Sequence, residues 1–411
     1  MKRTVAILAM LLVSAIAPVT ALAGTADQQA YAGSHVEFDT KSNAVVDYTV
    51  DGKQTVESMR VQSQSGAGSS VGLDGSADLD AAADIVGAAL SLQAETDASA
   101  SLTTESGASI EAHDNGRGSL VVTADESSQY VALNVSDDDT EQVSDQRVVY
   151  ETEDGATATA LVVGEGNVSV TDDGNLTAAV AEDSRLVVRS YTEGRTDGDE
   201  TEERMIVNET AAASVYVMAQ GEERVTDTVT YGQNTTVDVA QRTEGRVDMT
   251  VNRTAHEGRV VVTHVSDETF ESADDVAVAV DGDAAASASS YTELRQAASG
   301  GETSKYMVEQ SSAASADADA TVLVGINHFS TRDVTMTDSD SDTSSSDTDT
   351  PSDDSDTSSD DSDTSSDDSE SSNDDSSDDV GTSSGNGPGF GGAAVLLALI
   401  SMTGLSVARR R

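Results

Sequence analysis

The chain has 411 residues, with 75 Asp and Glu against 22 Lys and Arg, a formal net charge of −53, and no cysteine. That balance excludes a nucleic-acid partner, whose phosphates are held by basic side chains, and the missing thiols exclude disulfides, thiolate metal sites and cysteine nucleophiles. Such a chain repels itself until about 1 M salt shortens the Debye length to roughly 3 Å, so the acidic, Lys-poor, Val- and Ala-rich composition reads as halophilic, with hydrated cations over its surface.

The first 23 residues form a secretory signal peptide. Lys2 and Arg3 precede an apolar stretch over Val5–Ala17, and Ala21-Leu22-Ala23 makes a small-residue cleavage site that leaves Gly24 as the mature N-terminus. Residues 24–125 read as a β-rich region with one candidate short helix, Asp80–Glu95. Asp78 or Asp80 would cap it, and Ile85, Val86, Ala89 and Leu90 would form its apolar stripe, with Gly87 as the weak point. The flanking Gly/Ser/Ala-rich stretches suit solenoid turns equally well. Gly68-Ser69-Ser70-Val71-Gly72 satisfies G-x-S-x-G but lacks the strand–turn–helix setting of a nucleophile elbow.

Beyond residue 125 the period is two. Val247, Met249 and Val251 alternate with Asp248, Thr250 and Asn252; Val276, Val278 and Val280 repeat the pattern, as do Val168/Val170 and Val237/Val239. This alternation predicts strands with one buried and one wet face. Asp172-Asp173-Gly174-Asn175, Asp197-Gly198-Asp199 and Asp281-Gly282-Asp283 are predicted turns. Ser190-Tyr191-Thr192-Glu193-Gly194-Arg195 reappears 100 positions later as Ser290-Tyr291-Thr292-Glu293-Leu294-Arg295, and Arg147–Thr152 is echoed at Arg204–Thr210. The expected fold is all-β: repeated antiparallel modules over 126–234 and 235–336, sandwich-like, with a β-solenoid as the alternative. Tyr191 and Tyr291 read as core or edge aromatics. Asn327-His328-Phe329-Ser330-Thr331 is similar to the closing strand of various surface-exposed β domains.

No catalytic set, cofactor or metal site is expected, and the chain is not read as an enzyme. The five His are scattered, and His256 and His264, which could share a strand face, lack a third zinc ligand. Asp137-Asp138-Asp139, Asp172-Asp173 and Asp274-Asp275 have hard-oxygen chemistry without the spacing of a calcium loop. Six of the 11 Asn lie in N-x-S/T sequons: Asn134, Asn167, Asn175, Asn208, Asn234 and Asn252. On an exported chain these are glycosylation candidates.

The tail is a second address. Residues 337–387 are read as a disordered acidic Ser/Asp spacer, with the heptad DDSDTSS written twice over Asp353–Ser366. Residues 388–411 hold Pro388-Gly389-Phe390, the apolar run Gly391–Ala408 and Arg409-Arg410-Arg411. That order resembles the PGF-CTERM sorting signal of haloarchaeal surface proteins. The resemblance implies processing by an archaeosortase and a lipid anchor, and says nothing of activity. Independently, an 18-residue apolar run just crosses a hydrocarbon core, with the Arg cluster remaining on the cytoplasmic side. The expected protein is a membrane-anchored structural or interaction protein of the cell surface, associated with an S-layer glycoprotein or the envelope. A surface module binding glycans, solutes or cells is the alternative, favoured by several Tyr on one concave patch. An exported hydrolase is third.

Overall fold

The computed structural model describes residues 28–66, 82, 85–135, 137–220, 223–232, 234–266, 269–270, 272, 276–310 and 320–338. The signal-cleavage residues Ala21, Ala23 and Gly24, the G-x-S-x-G segment, the Asp274-Asp275 pair, the spacer, Pro388-Gly389-Phe390, the apolar run and Arg409–Arg411 lie outside these. Among the described residues no helix is long and apolar enough to cross a membrane.

Four sheets form two sandwiches within one unit. The first sheet runs β1 (Gln28–Ala32), β2 (Val36–Lys41), β3 (Ala44–Val50), β4 (Lys53–Ser63), β9 (Gln129–Asn134), β14 (Leu176–Val180), β13 (Gly166–Val170). The second runs β10 (Asp137–Ser144), β11 (Arg147–Thr152), β12 (Thr157–Val163), β15 (Arg185–Tyr191), β8 (Leu120–Ala124), β7 (Ala108–His113), β6 (Ser99–Thr104), β5 (Leu90–Glu95). Val61, Val131 and Leu176 of the first sheet meet Leu102, Val122 and Val188 of the second in one core. The third sheet runs β17 (Glu223–Thr230), β16 (Ala211–Gln220), β20 (Glu257–Val265), β25 (Ala320–His328), β24 (Lys305–Gln310), β23 (Ala286–Ser287). The fourth runs β18 (Thr235–Thr243), β19 (Arg246–Arg253), β26 (Thr331–Asp338), β21 (Val276–Val280), β22 (Asp283–Ala284). Val215, Val261 and Val324 meet Met249, Val278 and Met336 between them.

The second and third sheets then face each other across a third core, with α1 (Asp197–Val207) and α2 (Tyr291–Ala298) contributing to it. In β15, Leu186 and Val188 enter the sandwich core while Val187 enters this seam; in β25, Val322 and Val324 face one way and Leu323 the other. Strands buried on both faces have no wet phase, which is why ALVV, RLVV and TVLV run without alternation. The outermost sheets keep the predicted period: β19 and β21 alternate buried and half-buried positions.

All-β architecture is what the sequence predicts, in its sandwich form, but its internal boundaries fall elsewhere. β8 and β15 share a sheet across residue 125, and β16 and β17 belong with the strands after 234. The repeat does not survive as structure either. Ser190 and Tyr191 end β15, and Gly194 turns the chain at φ +103°, whereas the matching Leu294 is fully buried inside α2. The two hexapeptides part at that one residue, because only glycine enters this region without steric cost.

Of the candidate helix Asp80–Glu95, positions 80, 81, 83 and 84 lie outside the described residues, and Leu90–Glu95 is strand β5 instead. Gly87 sits at φ +85° with the Asn43 carbonyl oxygen 2.4 Å from where a Cβ would stand, so the chain breaks there and pairs with β6. The predicted turn Asp197-Gly198-Asp199 is the first turn of α1. Thr196 and Asp199 cap each other reciprocally, and Asp197, Asp199 and Glu200 lie at the positive end of the helix dipole. Asp281-Gly282 is a true hairpin turn, both residues at positive φ between β21 and β22.

Candidate functional site

The densest chemistry lies in the seam. Helix α1 buries Asp199, Glu202, Glu203 and Ile206, an i, i+3, i+4, i+7 stripe in which three of four members are acids. Each acid meets an arginine of the first sandwich. Arg117 in the β7–β8 connection pairs with Asp199. Arg189 on β15, with no exposed surface, reaches Glu202 at 3.1 Å. Glu203 receives a two-pronged bond from Arg195 at 2.8 and 2.6 Å, a contact from Arg147 at 3.3 Å and the Tyr191 hydroxyl at 2.7 Å.

The second sandwich closes the network from its side. Ser214 on β16 donates to Glu202 at 2.9 Å, and His264 on β20 lies 3.3 Å from the same oxygen while its ring stacks on Tyr216 at 4.6 Å. Asp227 on β17 reaches back to β7, 2.9 Å from His113 and 2.6 Å from the Asn115 amide, which donates to it. Arg117, Arg147, Arg189 and Arg195 thus face Asp199, Glu202 and Glu203, and Asp227 faces His113. Burial works against charge on Glu202, yet Arg189 and then His264 hold it well below the ordinary carboxylate range. Burial likewise works against protonated His113, and Asp227 overrides it, so that imidazole titrates above its usual value. The Arg189 guanidinium keeps Nε and Nη1 without partners, so its anchorage rests on Glu202 and the Tyr216 hydroxyl.

A cleft of about 230 Å³ opens beside this network, bordered by Arg117, Asp199, Glu202, Tyr291 and Glu309. The Tyr291 hydroxyl donates to Glu309, and burial followed by that carboxylate pushes its pKa up. Asp199, Glu202 and Glu309 on the cleft wall therefore each already accept from a neighbour. The arrangement holds two sandwiches and a helix in register.

The predicted positions distribute as follows. His264 is buried in the seam, whereas His256 precedes β20 and bonds the Phe329 carbonyl at its opposite end, so the two do not converge. Asp172 and Asp173 stand exposed in the β13–β14 turn. Among the described residues no cluster of three or more His, Asp or Glu is arranged to hold a metal ion. Tyr191 is fully buried and Tyr291 begins α2; Tyr31, Tyr48, Tyr130, Tyr150, Tyr216 and Tyr231 are also buried, so no concave tyrosine patch forms from them.

The sequons divide. Asn208, at the C-cap of α1, Asn234 and Asn252 are exposed, and the last two lie together where β18 starts and β19 ends. Asn134 and Asn175 are half-buried and engaged: the Asn134 amide donates to Glu57 at 2.7 Å, and the Asn175 oxygen accepts from the Val135 amide at 3.2 Å. Asn167 is half-buried on edge strand β13.

The seam was not foreseen from sequence, though two signals existed. Arg147 opens and Arg189 closes an apolar run, and an arginine inside a buried strand requires a buried acid. Thr196-x-x-Asp199 and Ser290-x-x-Glu293 are capping-box patterns.

No family model and no curated protein matches the chain. Among solved structures, a mutant of a glycoside hydrolase family 81 protein from Clostridium thermocellum aligns over 74% of this chain at 9% identity with a TM-score of 0.33. This chain spans about a third of that structure's length, 34%.

Proposed function

We propose that the protein is an exported, membrane-anchored structural and interaction protein of a halophilic archaeal cell surface, with its β-sandwiches held outside on the acidic spacer. Archaeosortase processing, the lipid anchor and an envelope or S-layer partner belong to this reading through the tail's resemblance. The observation that carries it is the way the body meets its tether. β26 ends at Asp338, where the acidic tract of the sequence begins. It is paired on both sides, with β19 from Thr331 to Thr337 and with β21 from Val334 to Asp338. A pull along the chain at Asp338 loads both ladders in shear, so many hydrogen bonds must fail together. A terminal edge strand would instead peel one bond at a time.

The experiment is the mass of the terminal peptides of the protein extracted from native membranes in high salt. Expected are an N-terminus at Gly24 and loss of the segment after Phe390, with a lipid-sized addition near Pro388–Gly389. An intact tail ending in Arg411 would refute the sorting reading and leave a transmembrane anchor.

A further inference from the structure

The first sandwich carries a second polar feature, on the outer face of its first sheet. In a chain so rich in acids, the cations of the described residues are almost all engaged by ion pairs or hydrogen bonds. Among the described residues the side chains of Lys41, Arg60 and Arg295 make neither. Arg295 stands in solvent on α2, but Lys41 and Arg60 border the same hollow of about 290 Å³. Arg60 is half-buried, and its stem is confined by the 85–89 segment, where a Cβ on Gly87 would lie 3.3 Å from the Arg60 Cβ.

The hollow has a sequence cause. Across the sheet, Arg60 is registered with Ala132, and Ala132 with Thr177. Small neighbours leave space beside the guanidinium, and a second hollow of about 240 Å³ shares Arg60 and Asn134 with the first. Together they form one groove across β3, β4, β9 and β14. With strands about 4.8 Å apart, it crosses on the order of 14 Å of sheet. Of the acids on its rim, Asp47 accepts from the Gln54 amide and Glu57 from the Asn134 amide, while Asp173 stands exposed in the β13–β14 turn and makes no ion pair with Arg60. At the far end, the hydroxyl oxygens of Thr171 and Thr177 have no hydrogen-bond partner, and Thr177 is 1% exposed.

A partly desolvated guanidinium without a counter-ion among the described residues calls for an oxyanion, preferably a planar carboxylate that accepts both prongs. The unpartnered Thr171 and Thr177 hydroxyls further along the same groove call for a ligand that itself carries hydroxyls. We infer that this groove binds an acidic oligosaccharide, a chain of a few sugars carrying a carboxylate seated on Arg60 and Lys41. The inference supplies a ligand class for the interaction body proposed above. Its test uses soluble ligand and does not depend on how the chain is anchored.

The full chain, purified in detergent and molar KCl, is titrated calorimetrically with trigalacturonate, with the neutral galactose trisaccharide and with a short oligo-aspartate. Trigalacturonate is expected to bind at least tenfold more tightly than either of the others. Arg60→Gln is expected to lower that affinity at least tenfold with an unchanged urea midpoint, while Arg295→Gln leaves it unchanged. Equal binding of the neutral sugar, equal binding of oligo-aspartate, full affinity in a folded Arg60→Gln protein, or no binding of trigalacturonate to the folded wild type would each overturn the assignment.

Discussion

Replacing Glu202 by Gln tests whether the seam is held by charge. The substitution keeps the shape of the side chain and removes the counter-ion of Arg189, which has no exposed surface on which to recover water. At the effective dielectric of about 20 that describes protein sites, two charges about 4 Å apart attract by about 4 kcal/mol. Removing one partner of a buried pair typically costs about 3–5 kcal/mol. Arg189 keeps the Tyr216 hydroxyl at 3.4 Å, the Tyr191 ring at 5.8 Å and a neutral amide oxygen, none of which supplies a counter-charge, so a loss of about 4 kcal/mol is expected. Urea unfolding in molar KCl reads it without altering ionic strength, followed by far-UV dichroism. The companion variant joins Glu202→Gln to Arg189→Met. With both charges gone and an apolar stem between Val188 and Ser190, it is expected to recover at least about 2 kcal/mol. Acid gives the same answer with the sign fixed by the pKa. Because folding lowers the Glu202 pKa, its contribution is complete above the unfolded value of about 4.3 and disappears as pH falls through the folded value. A Glu202→Gln protein within about 1 kcal/mol of wild type, or a double variant no more stable than the single one, would refute the electrostatic account.

His113 makes a prediction of opposite sign. Folding raises its pKa, so its contribution is complete below about pH 6.5 and is lost as pH rises through the folded value; His113→Gln should remove that part of the fall in urea midpoint above about pH 6.5. Gly258 seats α2 on β20: a Cβ there would lie 2.2, 2.4 and 2.5 Å from the carbonyl oxygens of Ala298, Ile326 and Asn327, all backbone. Gly258→Ala should therefore cost about 1–3 kcal/mol and speed hydrogen exchange in Tyr291–Ala298, and unchanged exchange would count against the packing. Glycopeptide mass spectrometry of the native protein should find sugar on Asn208, Asn234 and Asn252 and bare Asn134 and Asn175. Sugar on Asn134 would break its bond to Glu57 and block the groove beside Arg60.

What the sequence could reveal depended on how each element meets water. Val247–Val251 and Val276–Val280 lie in an outer sheet, where one wet face forces the alternation that a period-two reading detects. Leu186–Val188 and Val322–Val324 lie between two cores, and their uninterrupted runs carry no such phase. Helix α1 was hidden more thoroughly, because its buried stripe is written in Asp199, Glu202 and Glu203, residues that any hydrophobic periodicity scores as exposed. Only its capping residues announce it. The apparent helix near Leu90 failed for the converse reason: its apolar spacing was helical, but Gly87 is committed to a backbone conformation that stops a helix and opens a strand. The site followed the same logic, since arginines that look like solubilising charge become structural once a partner acid is placed opposite them.

That placement also reconciles the acidic surface with a stable joint between sandwiches. In about 1 M salt, a Debye length of roughly 3 Å leaves exposed pairs such as Arg204–Glu200 and Arg246–Asp248 with little to contribute. Pairs removed from solvent are not screened in this way. Glu203 with Arg195, Glu202 with Arg189 and Asp227 with His113 all lie where salt does not reach at least one partner. The geometry also explains why the seam uses arginine and no lysine. Glu203 takes both prongs of Arg195 while accepting Tyr191 and contacting Arg147, a set of directions that a single ammonium point charge cannot reproduce. Salt that screens repulsion among the surface acids leaves the interactions of this joint intact.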